Sequence, residues 1–427
     1  MPTRSLRIPQ SGTLRPMRAS HGWLGLTLLI CVAGCGSAEN TAYVDYGQEA
    51  QRIAPPVATD PAASFPVLAS AAQDAETKAP KACLLTTFSP SIQERLKTLL
   101  APDVQSVNGI ADKPTSFVYQ PRAPFQTPPN QKGWRLIGRV MVWTEEGAVE
   151  RKDFDKAIAS AVDATHFGFN LTTGDATDAA LGLTIADDAR RGIVTSLDAM
   201  TSEQLDRLAD GCEAALKSKP TLQTALQHEH ANMLMAVQYV QDAFDRGDWG
   251  RLEDQLGPGV RESMEYLQEM KNGDGHKRMA YFAGLAADAD AEDAFLEGAC
   301  LQPAYRRQHP APPPGKRPWK NIGQAFFGSG EPLMAMNDTT LARTRMLVIT
   351  CRLIAKIKRS EPVPTKLEGS FDGRLTQDPF NGQPFEYHAV GQSFRLYSVG
   401  QDFRDDGGET DPETYSTPDL TLERPSE

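Results

Sequence analysis

Apolar residues recur every three or four positions in one stretch of the chain after another, and this spacing constrains the fold more than any other feature. The longest stripe consists of Leu226, Met233, Val237, Val240 and Phe244. Similar stretches begin near residues 89, 153, 181, 202, 261, 276 and 340. Because stripes of this period are buried by packing helices on one another, the sequence predicts a mainly α protein, either an antiparallel helical bundle or an irregular helical array. The stretch Trp134–Trp143 fits either a helix or a strand.

Two short stretches near the C-terminus alternate apolar and polar residues instead. They are Phe385–Tyr387 and Phe394–Val399, and the glycine-containing segment His388–Ser393 connects them. Alternation on both sides of a short connection is typical of a β-hairpin. We therefore expect a small C-terminal β-hairpin module over residues 359–408, after an α-helical domain over residues 81–358.

The first 34 residues have the composition of an export signal. Four arginines, with no acidic residue among them, precede a short apolar run that begins at Trp23 and ends in the small residues Ala33 and Gly34. A basic region, an apolar core of this length and small residues at its end are typical of a secretory signal peptide that is later removed. Its removal would take the formal net charge from −11 to −15.

The sequence Val32-Ala33-Gly34-Cys35 resembles the lipobox of bacterial lipoproteins. The resemblance implies cleavage before Cys35, acylation of that residue with chains such as palmitate, and anchoring to a lipid bilayer. Several acyl chains hold a protein durably on a membrane, because each buried methylene contributes about 0.8 kcal/mol. Gly36 stands where an aspartate favours retention in the inner membrane of enterobacteria, so we expect an outer-membrane protein of the bacterial envelope, facing the periplasm or the exterior. An ordinary signal peptide cleaved elsewhere is the alternative.

Two segments are poor in large apolar residues. Residues 35–80 are rich in Ala, Pro, Asp, Glu and Gln, whereas residues 409–427 are acidic and rich in Thr and Pro. Such compositions offer too little apolar surface to offset the conformational entropy lost on folding. We therefore predict a disordered tether over residues 35–80 and a disordered acidic tail over residues 409–427.

The net charge of −11 argues against nucleic acid as a partner, because binding to phosphates requires a basic surface. A local reversal of charge occurs in the proline-rich segment Gln302–Lys320, which contains five basic residues. These residues could dock an acidic partner or lipid headgroups, or could form a solvated surface loop. No apolar run in the sequence reaches the length of about 20 residues that a membrane-spanning helix requires.

Four cysteines remain when the signal peptide is removed and Cys35 is assigned to lipid. They are Cys83, Cys212, Cys300 and Cys351. Their wide spacing does not resemble that of a zinc site. Because an exported protein can form disulfides, both disulfides and buried free thiols fit the sequence, and the pairing stays open.

The sequence His228-Glu229-His230 contains the residue types of a metal site without its spacing. Side chains two positions apart point to nearly opposite sides of a helix, so the two imidazoles cannot bind one ion. We expect a pair of surface histidines instead. The sequence contains no HExxH motif, P-loop, GxGxxG fingerprint or GxSxG elbow, so no residue is predicted to be a catalytic nucleophile or base.

Three aspartates lie within five positions of a glycine-containing loop that follows the second predicted strand. They are Asp402, Asp405 and Asp406, and Gly407 and Gly408 come directly after them. Clustered carboxylates repel one another unless a cation or solvent screens their charge, and Ca²⁺ prefers such oxygen ligands. The sequence therefore predicts a calcium site at these three residues, with a solvated turn as the alternative.

The C-terminal region also resembles that of type II secretion major pseudopilins. In that family a DPWGxPYxY string precedes a strand ending in YSLG and an acidic calcium-binding loop, whereas this chain has DPFNGQPFEY at residues 378–387 and LYSVG at residues 396–400. It is more similar still to uncharacterised bacterial envelope proteins that combine a long helical region with DPF-G-P, LYSVG and DDGG strings. The resemblance covers residues 341–408.

For the loop, the resemblance implies that Asp402 matches the first acidic ligand and that Asp405 and Asp406 match the later pair. The loop is shorter than in the pseudopilins, so Glu409 and Asp411 could replace Asp405 and Asp406 as ligands. A lipobox stands in place of the prepilin cleavage site, and the pilin assembly helix is missing from the N-terminus. The resemblance therefore implies a shared structural module rather than membership of a pilus.

Together these features predict a membrane-anchored envelope lipoprotein that acts without catalysis, as a scaffold, adaptor or assembly factor for another envelope protein. The alternative is an envelope hydrolase whose site is assembled from distant helices. A cleft with converging carboxylates, or a histidine–carboxylate pair of perturbed pKa, would favour the hydrolase. A broad exposed apolar patch would favour the adaptor.

Overall fold

Helices make up most of the computed structural model, which describes residues 44–54, 64–110, 113, 115, 117, 119–270, 275–311, 316–408 and 419–422. The first helices are α1 (Tyr46–Ile53), α2 (Phe65–Lys78), α3 (Pro90–Leu99), α4 (Ala101–Asn108), α5 (Gln131–Glu150), α6 (Phe154–Leu171), α7 (Ala176–Val194) and α8 (Ser202–Ser218). They are followed by α9 (Gln223–Arg246), α10 (Trp249–Leu256), α11 (Arg261–Met270), α12 (Gly275–Ala299), α13 (Lys320–Phe327), α14 (Gly330–Lys358) and α15 (Gly373–Thr376). The described strands, β1 (Glu386–Val390) and β2 (Ser393–Tyr397), form an antiparallel hairpin. The prediction of a mainly α protein with a small C-terminal β-hairpin is confirmed.

Side-chain caps explain where several central helices begin. The Asp153 carboxylate accepts a hydrogen bond from the backbone N–H of Lys156 at the start of α6, and the Asp175 carboxylate caps the first turn of α7 in the same way. Helix α8 opens with a capping box formed by Thr201 and Gln204. Such caps satisfy N–H groups that have no partner inside the helix.

The ambiguous stretch Trp134–Trp143 lies inside helix α5. Trp134 is buried, and its indole N–H donates a hydrogen bond of 2.9 Å to the carbonyl oxygen of Leu68 in α2. Periodicity could not separate a helix from a strand here, because the stretch is apolar on more than one side. The neighbours on both sides of α5 account for that composition.

The buried apolar residues form three main clusters. The first joins α1 and α9 to the helices α10–α13. The second joins α8 and α14 to the hairpin region. The third joins α2, α3 and α4 to α5, α6 and α7, so the middle helices α5–α7 connect the N-terminal helices to the rest of the protein.

The prediction of a disordered tether over residues 35–80 is wrong for α1 and α2. Helix α2 buries Leu68, Ala71, Ala72 and Ala75 on one face. The three alanines allow close packing, and a Cβ at Gly133 of α5 would lie within 3.0 Å of the Ala72 backbone. The composition of this segment gave no indication that it packs, because each alanine offers little apolar area. The close packing depends on Gly133 of α5, which lets the two backbones approach. Residues 35–43 and 55–63 lie outside the described residues.

The acidic tail predicted to be disordered over residues 409–427 is also packed where the structure describes it. Leu420 pairs with Ser398 through two backbone hydrogen bonds of 2.8 and 2.9 Å. Asp419 and Leu422 are buried. The short stretch 419–422 therefore extends the hairpin region, because the partners that bury it come from sequence-distant residues.

The hairpin itself has a tighter turn than the predicted connection His388–Ser393. Val390 pairs with Ser393, which leaves Gly391 and Gln392 as a two-residue turn, and Gly391 has the positive φ of 62° that such turns favour. The hairpin region also shares its apolar cluster with α14. It therefore packs as part of the same compact unit as the helices rather than as a separate domain.

Cys83, Cys212, Cys300 and Cys351 form no disulfide with one another. Of the two alternatives that the sequence left open, the structure has reduced thiols. Three of these thiols are buried, and burial raises the pKa of Cys212 to about 12. Such a thiol packs as a small apolar group.

Candidate functional site

The predicted lipidation site, Cys35, and the predicted signal peptide before it lie outside the described residues. Among the residues that are described, no helix is both long enough and apolar enough to cross a membrane. Acylation at Cys35 therefore stays a prediction.

The three aspartates of the predicted calcium site have different hydrogen-bond partners. The Asp402 carboxylate accepts a hydrogen bond from the backbone N–H of Arg404 at 3.1 Å. The Asp405 carboxylate accepts from the Tyr397 hydroxyl at 2.8 Å. For Asp406, the structure shows its backbone N–H donating to the Asp419 carboxylate at 2.9 Å.

Asp419 is the acidic residue that the sequence reasoning missed in this loop. Its Oδ2 atom also accepts a hydrogen bond from the backbone N–H of Gly408 at 2.8 Å, so it closes the loop from outside the 402–408 segment. No cluster of three or more potential metal ligands is present in the described part of the chain, and Glu409 and Asp411 lie beyond it. Calcium binding at Asp402, Asp405 and Asp406 stays a prediction.

The first residue of the DPF string, Asp378, holds the base of the hairpin region together. It is buried, and its carboxylate accepts hydrogen bonds from the backbone N–H groups of Phe380 at 2.9 Å and Val399 at 3.0 Å. Burial raises the pKa of Asp378, and the two hydrogen bonds oppose that effect. The first residue of the DPF string thus stabilises the fold here, because the Asp378 carboxylate connects the turn at Phe380 to Val399, which follows β2.

The basic segment Gln302–Lys320 is partly tied to the protein. Arg307 forms a buried ion pair with Asp338 of α14, and Arg317 forms an ion pair with Asp288 of α12. The backbone N–H groups of Ala304 and Tyr305 donate to the carbonyls of Pro379 and Phe380. Two of its basic residues are therefore neutralised within the protein, which weakens the segment as a cationic docking site.

The two histidines of His228-Glu229-His230 do point to different sides of α9, but they are not a surface pair. His228 is buried, stacks on the ring of Tyr119 with centroids 3.9 Å apart and lies 2.9 Å from the carbonyl oxygen of Gly174 through Nδ1. His230 lies 2.9 Å from Asp290 and 3.2 Å from Asp293, both in α12. The expectation of surface exposure is wrong because helices pack on both of these faces of α9.

A buried polar network surrounds Tyr119 at the start of α7 and α9. Arg122 forms an ion pair with Asp175, its backbone N–H donates to Asn232 at 3.0 Å, and Asn232 donates to Asp175 at 3.3 Å. Asp178 lies beside this network, where burial raises its pKa to about 7. These contacts anchor the segment between α4 and α5, whereas the buried Oδ1 atom of Asp178 has no hydrogen-bond partner among the described residues.

The candidate functional site is a groove between α5 and α7, with a volume of about 770 Å³. A Cβ at Gly138 would lie within 3.0 Å of Ile185, and a Cβ at Gly192 would lie within 3.0 Å of Glu145. Later residues of α5 thus lie against later residues of α7, so the two helices run parallel. The lining extends from residue 131 to residue 146 on α5, which corresponds to a length of about 23 Å.

The floor of the groove is apolar and its walls carry charges of both signs. The apolar lining residues are Gly138, Val142, Trp143, Ala180, Leu181 and Ile185. The charged lining residues are Arg135, Arg139, Glu146, Asp188 and Arg191. A surface of this kind can accept a ligand that is apolar on one side and charged on the other.

The arginines of the groove differ in how they are satisfied. Arg139 donates to the carbonyl oxygen of Leu85 at 2.7 Å. Burial lowers the pKa of Arg139, and the charge of Arg135 adds to that effect. Arg191 donates to Asp187 at 2.7 Å. No carboxylate in the described part of the chain forms an ion pair with Arg135, so an unneutralised guanidinium lies at the end of the groove where α5 begins.

Two carboxylates also face the groove. Burial raises the pKa of Glu146, and the charges of Glu150 and Asp188 add to that effect. Burial likewise raises the pKa of Asp188, although the charge of Arg191 opposes it. Sequence reasoning did not find these residues, because the groove brings together side chains that are about 40 positions apart.

Comparison with known proteins adds no family for this chain. No protein-family model matches it, and neither a curated protein nor a solved structure is significantly similar to it.

Proposed function

We propose that this protein is a lipid-anchored envelope lipoprotein that acts as a non-enzymatic adaptor and binds its partner in the groove between α5 and α7. The observation that carries the proposal is the groove itself, whose apolar floor is bordered by charged side chains. Tyr119, His228 and Asp175 near α9 are engaged in internal contacts. They contribute to the fold, whereas the groove is open to another molecule.

The anchoring half of the proposal predicts that the Cys35→Ala variant loses acylation. The lipobox-like sequence places the only proposed acylated thiol at this position. Cells expressing the wild type should incorporate radiolabelled palmitate into the protein, whereas the variant should incorporate none. The Cys83→Ala variant, which removes a buried thiol, is the control and should remain labelled. Labelling of the Cys35→Ala variant would contradict lipid anchoring at this residue.

The adaptor half predicts a groove-specific contact in intact cells. A photoreactive amino acid at Thr184, which is exposed and lines the groove, should crosslink to a discrete protein. Thr77 is a matched control on α2, because it is also an exposed helical threonine whose hydroxyl donates to the carbonyl four residues earlier at 2.8 Å. Identical adducts at both positions, or no adduct at Thr184, would refute a partner in the groove.

An envelope hydrolase is the second candidate, and two observations favour it. His230 lies 3.2 Å from Asp293. Against the opposing effect of burial, Asp290 and Asp293 raise the pKa of His230, and burial raises the pKa of Asp293 to about 6.

The second observation is that Glu146 and Asp188 are two carboxylates of raised pKa in the groove between α5 and α7, as a general acid and base would be. The two functions predict different effects of the substitution Glu146→Gln. In a hydrolase, this change abolishes turnover, whereas in an adaptor the crosslink from Thr184 persists.

A further inference from the structure

We propose that the partner presents an acidic amphipathic helix, which lies along the groove with carboxylates paired to Arg135 and Arg139. This inference rests on the proposed adaptor function and names the chemistry of its partner. A groove about 23 Å long accommodates about four turns of helix. An amphipathic helix binds a hydrophobic groove through its apolar face, with its residues at i, i+3, i+4 and i+7 entering the groove.

The apolar part of the interface comes from the floor of the groove. Val142 and Trp143 of α5 and Leu181 of α7 are partly exposed there, and covering them would remove apolar surface from water. The side chains are spaced along both helices over several turns. A rigid rod with a matching apolar stripe can contact them all at once, as a helix does.

The acidic charge assigned to the partner rests on the arginines near the start of α5, although Glu146 and Asp188 also line the groove. Arg135 and Arg139 are one turn apart on α5, and like charges at this spacing destabilise a helix. Arg139 already uses one N–H on Leu85, whereas Arg135 has no carboxylate partner among the described residues. Carboxylates one turn apart on a docked helix would satisfy both guanidiniums with charge-assisted hydrogen bonds.

The protein's own carboxylates already cap the N-terminal ends of α5 and α7. Glu76 accepts a hydrogen bond from the backbone N–H of Gly133 at 3.0 Å, and Asp175 accepts from those of Thr177 and Asp178. The preference for an acidic group at this end of the groove therefore comes from the arginines, although the protein as a whole carries a net charge of −11.

The test uses two synthetic helical peptides of about four turns with one apolar face and with either glutamates or lysines along its borders. Binding to the full chain in nanodiscs of zwitterionic lipid is measured by fluorescence anisotropy. A non-specific surface on a protein of charge −11 would prefer the lysine peptide. We expect the glutamate peptide to bind about tenfold more tightly, which corresponds to about 1.4 kcal/mol.

Charge-reversal variants assign that preference to the groove. Arg135→Glu combined with Arg139→Glu should remove the preference for the glutamate peptide or reverse it. Arg374→Glu makes the same kind of change at an exposed arginine in α15 and should leave the preference in place. Circular dichroism of each variant checks that the helices remain folded.

The inference would be overturned by equal or tighter binding of the lysine peptide, by no binding of either peptide, or by retention of the preference in the Arg135→Glu, Arg139→Glu double variant. Displacement of the glutamate peptide by added phosphatidylglycerol would also overturn it, in favour of an anionic lipid. If the crosslink from Thr184 is present while the peptides fail, the groove still binds a partner, but of another chemistry.

Discussion

Replacing Gly182 with alanine should lower the free energy of unfolding by about 3 kcal/mol. Gly182 of α7 lies against Gly168 of α6, and a Cβ at Gly182 would come within 3.0 Å of the Gly168 carbonyl oxygen and 2.9 Å of the Leu171 Cβ. The obstacle is a helix backbone, which cannot turn aside as a flexible side chain can. Relief of the clash requires α6 and α7 to move apart, and that movement would open the packing that both helices share with α5.

Urea denaturation followed by circular dichroism measures this effect. The control is Gly298→Ala in α12, where a Cβ would meet nothing within 4 Å. Because alanine is a better helix former than glycine, the control should be neutral or stabilised by up to about 1 kcal/mol. An equal effect of the two substitutions would show that the close approach of α6 and α7 does not contribute to stability.

Replacing Glu145 with methionine should raise the free energy of unfolding by about 2 kcal/mol at neutral pH. The Glu145 carboxyl group is fully buried, and neither oxygen has a hydrogen-bond partner. Burial raises the pKa of Glu145 well above its usual range, and the charges of Glu146 and Asp188 add to that effect. Methionine fills a similar volume and leaves no polar group without a partner.

The stability gained in Glu145→Met should increase as pH rises. Since the pKa of Glu145 is higher in the folded protein than in the unfolded chain, the folded state binds the proton more tightly. The wild type therefore loses stability from this group as pH rises above the unfolded-state value of about 4.3. The advantage of Glu145→Met should be smallest in acid and should grow towards neutral pH.

The control for Glu145 is Glu150→Gln, because Glu150 is an exposed glutamate near the end of the same helix. Its removal should change the free energy of unfolding by less than about 0.5 kcal/mol. A loss of stability in Glu145→Met that persists at all pH values would contradict the prediction. It would mean that the carboxyl group has a partner in solution, such as water.

Local sequence signals were most successful where a helix carries its own pattern. The stripes beginning near residues 89, 153, 202 and 261 correspond to α3, α6, α8 and α11. Amphipathic spacing and capping residues act within a few residues of one another. They are therefore visible in a single sequence.

The errors have a common physical cause, which is burial by residues distant in sequence. The composition of α2 predicted disorder, yet Ala72 packs on Gly133. His230 looked like a surface residue, yet it lies against Asp290 and Asp293. In each case the decisive neighbour lies about 60 positions away along the chain, beyond the reach of local patterns.

The amino-acid sequence by itself determined the helical class and the C-terminal hairpin, because both depend on adjacent or periodically spaced residues. Only the tertiary structure revealed the groove between α5 and α7. Its arginines and carboxylates face one another because glycines at positions 138 and 192 let the two helices approach. Chain packing, rather than any local pattern, places these side chains on one surface.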